Sequence, residues 1–258
     1  MPFPASRLAS QICPFLVATG FLLAMASLAC AQEHSSRPFG WPTLIAPESL
    51  SIVGGDFSVR NRFVSLTQIH ALGPEGFDAP GLRVRMQGGG GSYGGDPVWT
   101  GKYAAEAMLG YAWWQNNLGG ALYGGWAANH HQTKPGTLQH GLEDGPGVLA
   151  EGWWKATDTL TLSAWGRYEQ PYDAMQGGMM AEQKLSDRWS TLVAGRAGQD
   201  DAGEFWVAEL GAGYSFTAPF MLVGPHQDQT LRLFGGISGD GDDTDLSVRF
   251  EVHLWNRK

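Results

Sequence analysis

From Leu50 onward, apolar and polar residues alternate with a period of two, as in strands that turn one apolar and one polar face. Leu82, Val84 and Met86 alternate with Arg83, Arg85 and Gln87. Leu160, Leu162 and Ala164 alternate with Thr161, Ser163 and Trp165. Leu246, Val248, Phe250, Val252 and Leu254 alternate with Ser247, Arg249, Glu251 and His253. A helix would carry Arg249 and Glu251 round onto apolar neighbours, so these segments are strands.

The pattern predicts twelve strands, near 50–60, 62–72, 81–91, 101–114, 118–130, 147–156, 159–169, 174–185, 189–199, 204–216, 219–237 and 245–255. The eleventh is interrupted by Gly224-Pro225, since proline cannot donate to a ladder. Every second connection reads as a tight turn: Asn116-Asn117, Thr157-Asp158, Ser186-Asp187 and Thr217-Ala218, with Gly73 to Pro80 somewhat longer. The alternate connections include longer loops at Gly90 to Trp99, His131 to Pro146 and Ser238 to Thr244. Short turns at one end and long loops at the other describe an antiparallel up-and-down outer-membrane β-barrel. An even strand count returns both termini to the periplasm. Trp113-Trp114, Trp153-Trp154, Trp189, Tyr214, Phe216 and Phe220 flank the tight turns, the height at which an interfacial aromatic girdle belongs. A soluble β-sandwich would bury these rings at scattered heights.

The first 31 residues form a secretory signal: Arg7, an apolar stretch from Phe15 to Leu28, and the small-x-small site Ala29-Cys30-Ala31. The apolar run falls short of the ~20 residues of a spanning helix. Ser27-Leu28-Ala29 is a poor approach to a lipidated Cys30. Cleavage between Ala31 and Gln32 follows, leaving 32–47 as a periplasmic segment and 48–258 as the barrel. Both cysteines, Cys13 and Cys30, leave with the signal, so disulfides do not stabilise the mature chain. Without Arg7 there are 16 basic residues against 25 acids, a net charge near −9 that argues against nucleic acid as a partner. Outer-membrane lipid and lipopolysaccharide are the expected surroundings.

Few residues suggest chemistry. Gly89 to Gly94 satisfies G-x-G-x-x-G, but Pro97 follows and no helix opens there, so it reads as a surface loop with no cofactor. Asp240, Asp242, Asp243 and Asp245 resemble a calcium loop in composition, yet strands flank them and Asp245 stands where glycine belongs. They read as a solvated hairpin. His130, His131 and His140 lack the serine elbow of an acyl-hydrolase. No metal and no catalytic residue is expected. The inward face carries Arg83, Arg85, Lys102, Glu106, Arg167, Glu169, Glu182, Arg196, Glu209, Arg232, Arg249 and Glu251, a mixed-sign lining that suits ion pairing better than a one-sign selectivity ring.

The order of these pieces resembles the cellulose biosynthesis protein BcsS family over about residues 50–256. The carriers are Gly54-Gly55-Asp56, Ala71-Leu72-Gly73, Gly81 to Arg85 leading into Gly88 to Tyr93, Leu109-Gly110-Tyr111, Glu151-Gly152-Trp153 and Gly224-Pro225. His226 replaces the acid that the family often has after Gly-Pro. The resemblance implies a non-enzymatic outer-membrane accessory in cellulose production or export, with cellulose or its export machinery as partner. Outward-loop aromatics Tyr93, Trp99, Trp126, Tyr168 and Tyr172 are then the candidate glucan contacts. A small-solute channel and a lipid-modifying barrel enzyme are the alternatives.

Mass spectrometry of the mature protein is expected to find Gln32 at its N-terminus in the outer-membrane fraction. Recovery of the uncleaved chain from the cytoplasm would overturn both the signal and the address.

Overall fold

The computed structural model describes residues 48–256 apart from 96–97, 133–140, 201–202, 221–223 and 241–242. The signal, the segment 32–47, Ala31, Gln32, His140 and Asp242 lie outside the described residues.

Twelve strands follow in chain order: β1 (Ser49–Ser58), β2 (Asn61–Ala71), β3 (Gly81–Gly95), β4 (Val98–Gln115), β5 (Leu118–Gln132), β6 (Gly141–Lys155), β7 (Leu160–Glu169), β8 (Ala174–Lys184), β9 (Trp189–Asp200), β10 (Gly203–Phe220), β11 (Gly224–Gly239) and β12 (Thr244–Asn256). Each pairs antiparallel with its neighbours in sequence, and β1 pairs with β12 from Ser49–Asn256 to Ser58–Ser247, closing the barrel. A closed sheet leaves no edge, which is what allows strands to cross hydrocarbon.

Three connections are reassigned. Gly90 to Trp99 and Ser238 to Thr244 are not long loops: β3 continues to Gly95 opposite Val98, and β11 runs to Gly239 opposite Thr244. Glycine carries no side chain to show alternation, yet its backbone completes the ladder while Tyr103 crosses above Gly90. Thr217-Ala218 is not a turn either. Both residues lie in β10, paired with Asp228 and Gln227, and the register shifts between Ala218 and Phe220. Gly224-Pro225 therefore opens β11 rather than breaking it.

The outer wall carries Leu109, Leu122, Val148, Leu210, Leu233 and Val248, all at least half exposed. Trp113, Trp154 and Trp189 rim this band toward the chain termini. Trp126, Tyr168 and Trp206 rim it at the distal end, beside the Tyr103–His130 stack. Tyr103 and Trp113 lie ten residues apart on one strand. At about 3.3 Å per residue and a tilt near 40°, that separates the girdles by about 25 Å, the height of an outer-membrane apolar band. Val248→Arg should therefore cost assembly about 2–4 kcal/mol near the midplane, read as loss of the heat-modifiable folded band. Normal folding of that variant would refute the outward register of β12.

Candidate functional site: the barrel interior

The inward face is a filled interior in three storeys. Toward the termini, Met108, Ala112, Ala121, Tyr123 and Leu149 form a buried apolar cluster, with Trp153 and Trp165 packed against it. Beside it the Gly73–Pro80 connection tucks Phe77 inward, edge-on to Trp255 at 5.4 Å and beneath the Arg83 guanidinium at 5.1 Å. Glu48 accepts the Phe77 N–H at 2.9 Å, and Arg83 donates to the Ala79 carbonyl at 2.8 Å.

Many inward glycines are seats. A Cβ on Gly110 would meet the Tyr123 ring at 2.3 Å and the Leu122 carbonyl at 2.6 Å. One on Gly178 would meet the Trp165 indole at 2.8 Å. On the outer wall the same device recurs where an aromatic ring needs it, as at Gly120 beneath Trp113 at 2.5 Å, while outward Gly124 has nothing within 4 Å.

The middle storey is ionic, and several of its pairs join strands that are not neighbours. Glu106 on β4 accepts from Arg85 on β3 at 3.1 Å and from Arg167 on β7 at 2.6 Å. Arg85 also reaches Glu151 on β6 at 3.6 Å, and Arg167 pairs with Glu169, to which Asn129 on β5 donates at 3.3 Å. On the other half, Arg249 on β12 pairs with Glu209 on β10 at 2.7 Å and with Glu251, while its guanidinium lies 3.8 Å from the Phe234 ring centroid. Arg232 on β11 reaches Glu182 on β8 at 2.6 Å, and His253 meets Glu251 at 3.0 Å. Arg196 on β9 spans to Asp56 on β1. Each bridge costs two desolvations and returns most of them only because the partner charge is placed.

The distal storey gathers two of the candidate aromatics. The Tyr93 hydroxyl meets His131 Nδ1 at 3.1 Å, and Tyr172 stacks on His131 with centroids 4.4 Å apart. Tyr172 sits in a 3-10 turn over Pro171–Asp173 with φ 59°, donates its hydroxyl to the Gly141 carbonyl at 2.9 Å and its N–H to Glu143 at 3.1 Å. Burial holds the Tyr172 hydroxyl above its ordinary pKa.

The outward-loop placement of the aromatics is corrected. Tyr93 and Tyr172 face inward and Tyr172 is 2% exposed, because the β7–β8 turn folds back over His131. Trp126 and Tyr168 lie on the outer wall, with the Trp126 indole N–H donating to Asp144 at 2.8 Å. The Trp99 side chain lies outside the described residues. The girdle is also corrected: Trp114 pairs opposite Gly119 and Gly119 opposite Trp153, on the face of Met108 and Ala112, so these two indoles point inward. Adjacent tryptophans on a strand cannot both face lipid, and that signal was available in the sequence. His130 and His131 likewise point to opposite sides of the wall. Among the described residues of the acidic hairpin, Arg60 sits within 3.3 Å of Asp240, Asp243 and Asp245, a cation from the chain itself. Asp56 and Glu151 join the interior networks although the sequence did not single them out, since only strand register shows which charge they meet, and His253 on the polar face of β12 meets Glu251.

This architecture defines the class: a closed twelve-stranded outer-membrane β-barrel. No protein-family model and no curated relative matches the chain. Among solved structures, it is similar to the KdgM porin, with 8% identity and a TM-score of 0.52 over 81% of this chain and 99% of that one. It is also similar to the CymD monoaromatic hydrocarbon channel (10% identity, TM-score 0.47, 93% of each chain). A third is the translocator domain of the autotransporter NalP from Neisseria meningitidis (14%, TM-score 0.44, 92% and 96%). At that identity the likeness to the KdgM porin shows the shared fold, and an outer-membrane location accords with it.

Glu106→Ala would leave Arg85 and Arg167 without their shared carboxylate and should cost about 3 kcal/mol in urea unfolding of the detergent-folded barrel. An unchanged midpoint would mean that water, not Glu106, holds these guanidinium groups.

Proposed function

We propose that this barrel is a non-enzymatic outer-membrane accessory of bacterial cellulose biosynthesis or secretion, acting through its surfaces and mouths rather than as a general solute channel. The observation that carries the choice between these two is the set of ion pairs between non-neighbouring strands, Arg167–Glu106, Arg232–Glu182 and Arg196–Asp56. They reach across the interior that a solute would have to traverse. The link to cellulose rests on the resemblance to the BcsS family, and the residues carrying it have work to do here. Asp56 is the partner of Arg196, and Trp153 lies over Gly119. A non-enzymatic reading is supported by the opposite orientation of His130 and His131, which divides the only adjacent histidines between two environments. A barrel in the outer membrane also stands apart from the cytoplasmic sugar nucleotide, so polymerisation itself falls elsewhere.

Deleting the gene is expected to reduce or disorganise extracellular cellulose while inner membranes still polymerise glucan. In planar bilayers the purified barrel should give no steady conductance. Normal cellulose together with stable open-channel currents would favour the solute-channel reading instead.

A further inference from the structure

Two tryptophans turn away from the membrane girdle into the barrel. Trp114 and Trp153 face inward at the end of the barrel nearest the termini, one residue from lipid-facing Trp113 and Trp154. Their ring centroids are 4.8 Å apart at 60°. They share one seat: a Cβ on Gly119 would meet Trp153 Nε1 at 2.2 Å and Trp114 Cε3 at 2.5 Å. Trp153 completes the apolar cluster, so filling the interior explains it. Trp114 is different. It faces inward and yet remains 43% exposed, at the last turn of the β4–β5 hairpin. Neither lipid nor the core accounts for an indole held open at the mouth.

We infer that Trp114, held on Trp153 by the Gly119 seat, is a saccharide platform at the periplasmic mouth, and that its ligand is a neutral β-linked glucan chain. This rests on the proposed role in cellulose production and adds a place of contact to it. The axial C–H groups of a glucopyranose ring make an apolar face that stacks on an indole, while its equatorial hydroxyls need hydrogen-bonding groups at the edge. Lys155 and Glu151 flank Trp153 on the same strand face, and Ser163 pairs directly opposite it. These groups can donate and accept at the rim of the aromatic surface. Charge argues for a neutral chain: Arg83, the guanidinium of this storey, is buried and donates to the Leu82 and Ala79 carbonyls, and Arg85 is paired with Glu106 and Glu151. Lys155 is paired with Asp158 at 3.3 Å. Each of these three cations is thus engaged within the chain rather than held open for an acidic polysaccharide.

The test is titration of the detergent-folded, full-length mature barrel with cellohexaose, read by intrinsic tryptophan fluorescence and calorimetry. A hexamer of galacturonic acid is the acidic comparison. Wild type should bind cellohexaose saturably and the acidic hexamer at least tenfold more weakly. Trp114→Ala should weaken cellohexaose binding on the order of tenfold, the size of one aromatic stack, while Trp113→Ala, one residue away on the lipid face, should leave it unchanged. Heat-modifiable migration of each variant establishes that it is folded. Gly119→Ala, which crowds the seat without removing an indole, should weaken binding in a folded barrel. Saturable binding that survives Trp114→Ala, preference for the acidic hexamer, or no saturable response in folded wild type would each overturn the platform. The deletion phenotype reads the cellulose role independently. Lost cellulose with no binding would remove the platform alone, and normal cellulose with binding would remove the cellular role alone.

Discussion

The ladder between β1 and β12 is the contact on which the rest of the molecule depends. Hydrocarbon offers no partner for a backbone N–H or carbonyl, so a sheet in the outer membrane is stable only when its first and last strands find each other. Ten residue pairs make that closure, from Ser49–Asn256 to Ser58–Ser247. Once it forms, each strand has an inside and an outside, and alternation along the chain becomes a division between lipid and interior. Asp56 lies on one closing strand and Arg249 directly opposite it on the other, so closure also assembles one half of the ionic network.

Closure creates a second problem, an enclosed space twelve strands wide. This chain fills it by letting long side chains rise from one wall and placing glycine on the neighbouring wall to receive them. Tyr123 over Gly110, Trp165 over Gly178 and Phe234 over Gly211 are instances of one device. The abundance of glycine is thus a packing feature of the interior as much as a property of turns. Where apolar filling ends, Arg and Glu take over, and the arginine length matters: only a side chain of that reach can cross from β9 to β1 or from β11 to β8. These groups lie away from lipid, so the cost of carrying charge through a membrane is avoided on the outer wall and offset by pairing on the inner one.

The distal end shows the cost of closing the mouth with a loop rather than a strand. Tyr172 and Asp173 both have positive φ, an uncommon backbone for residues with a Cβ. The hydroxyl and N–H bonds of Tyr172, with its stack on His131, hold that conformation. At the opposite mouth the filling stops one residue short of solvent, at Trp114. The two ends of the barrel are therefore chemically unlike: one capped by a buried tyrosine, the other finished by an exposed indole.

The strand count, the alternation of β12, the lipid-facing girdle at Trp113, Trp154 and Trp189, and the inward direction of Arg83, Arg85, Arg167 and Arg249 were all legible in the sequence. A period of two is a local property, and a residue's own strand suffices to assign its face. The ends of β3 and β11 were not, because glycine leaves no alternation to read and a proline at a strand's second residue looks like a break. Which interior charges meet was decided only by the tertiary structure. Arg167 finds Glu106 three strands away, and Arg196 finds Asp56 across the space that β10, β11 and β12 enclose. Register and closure set those encounters. The same holds for Tyr93 and Tyr172, which as sequence are two loop aromatics and as structure are two sides of one histidine. Alternation along a chain determines the face a side chain takes, while the partner it meets on that face depends on how far each strand has slid against the next.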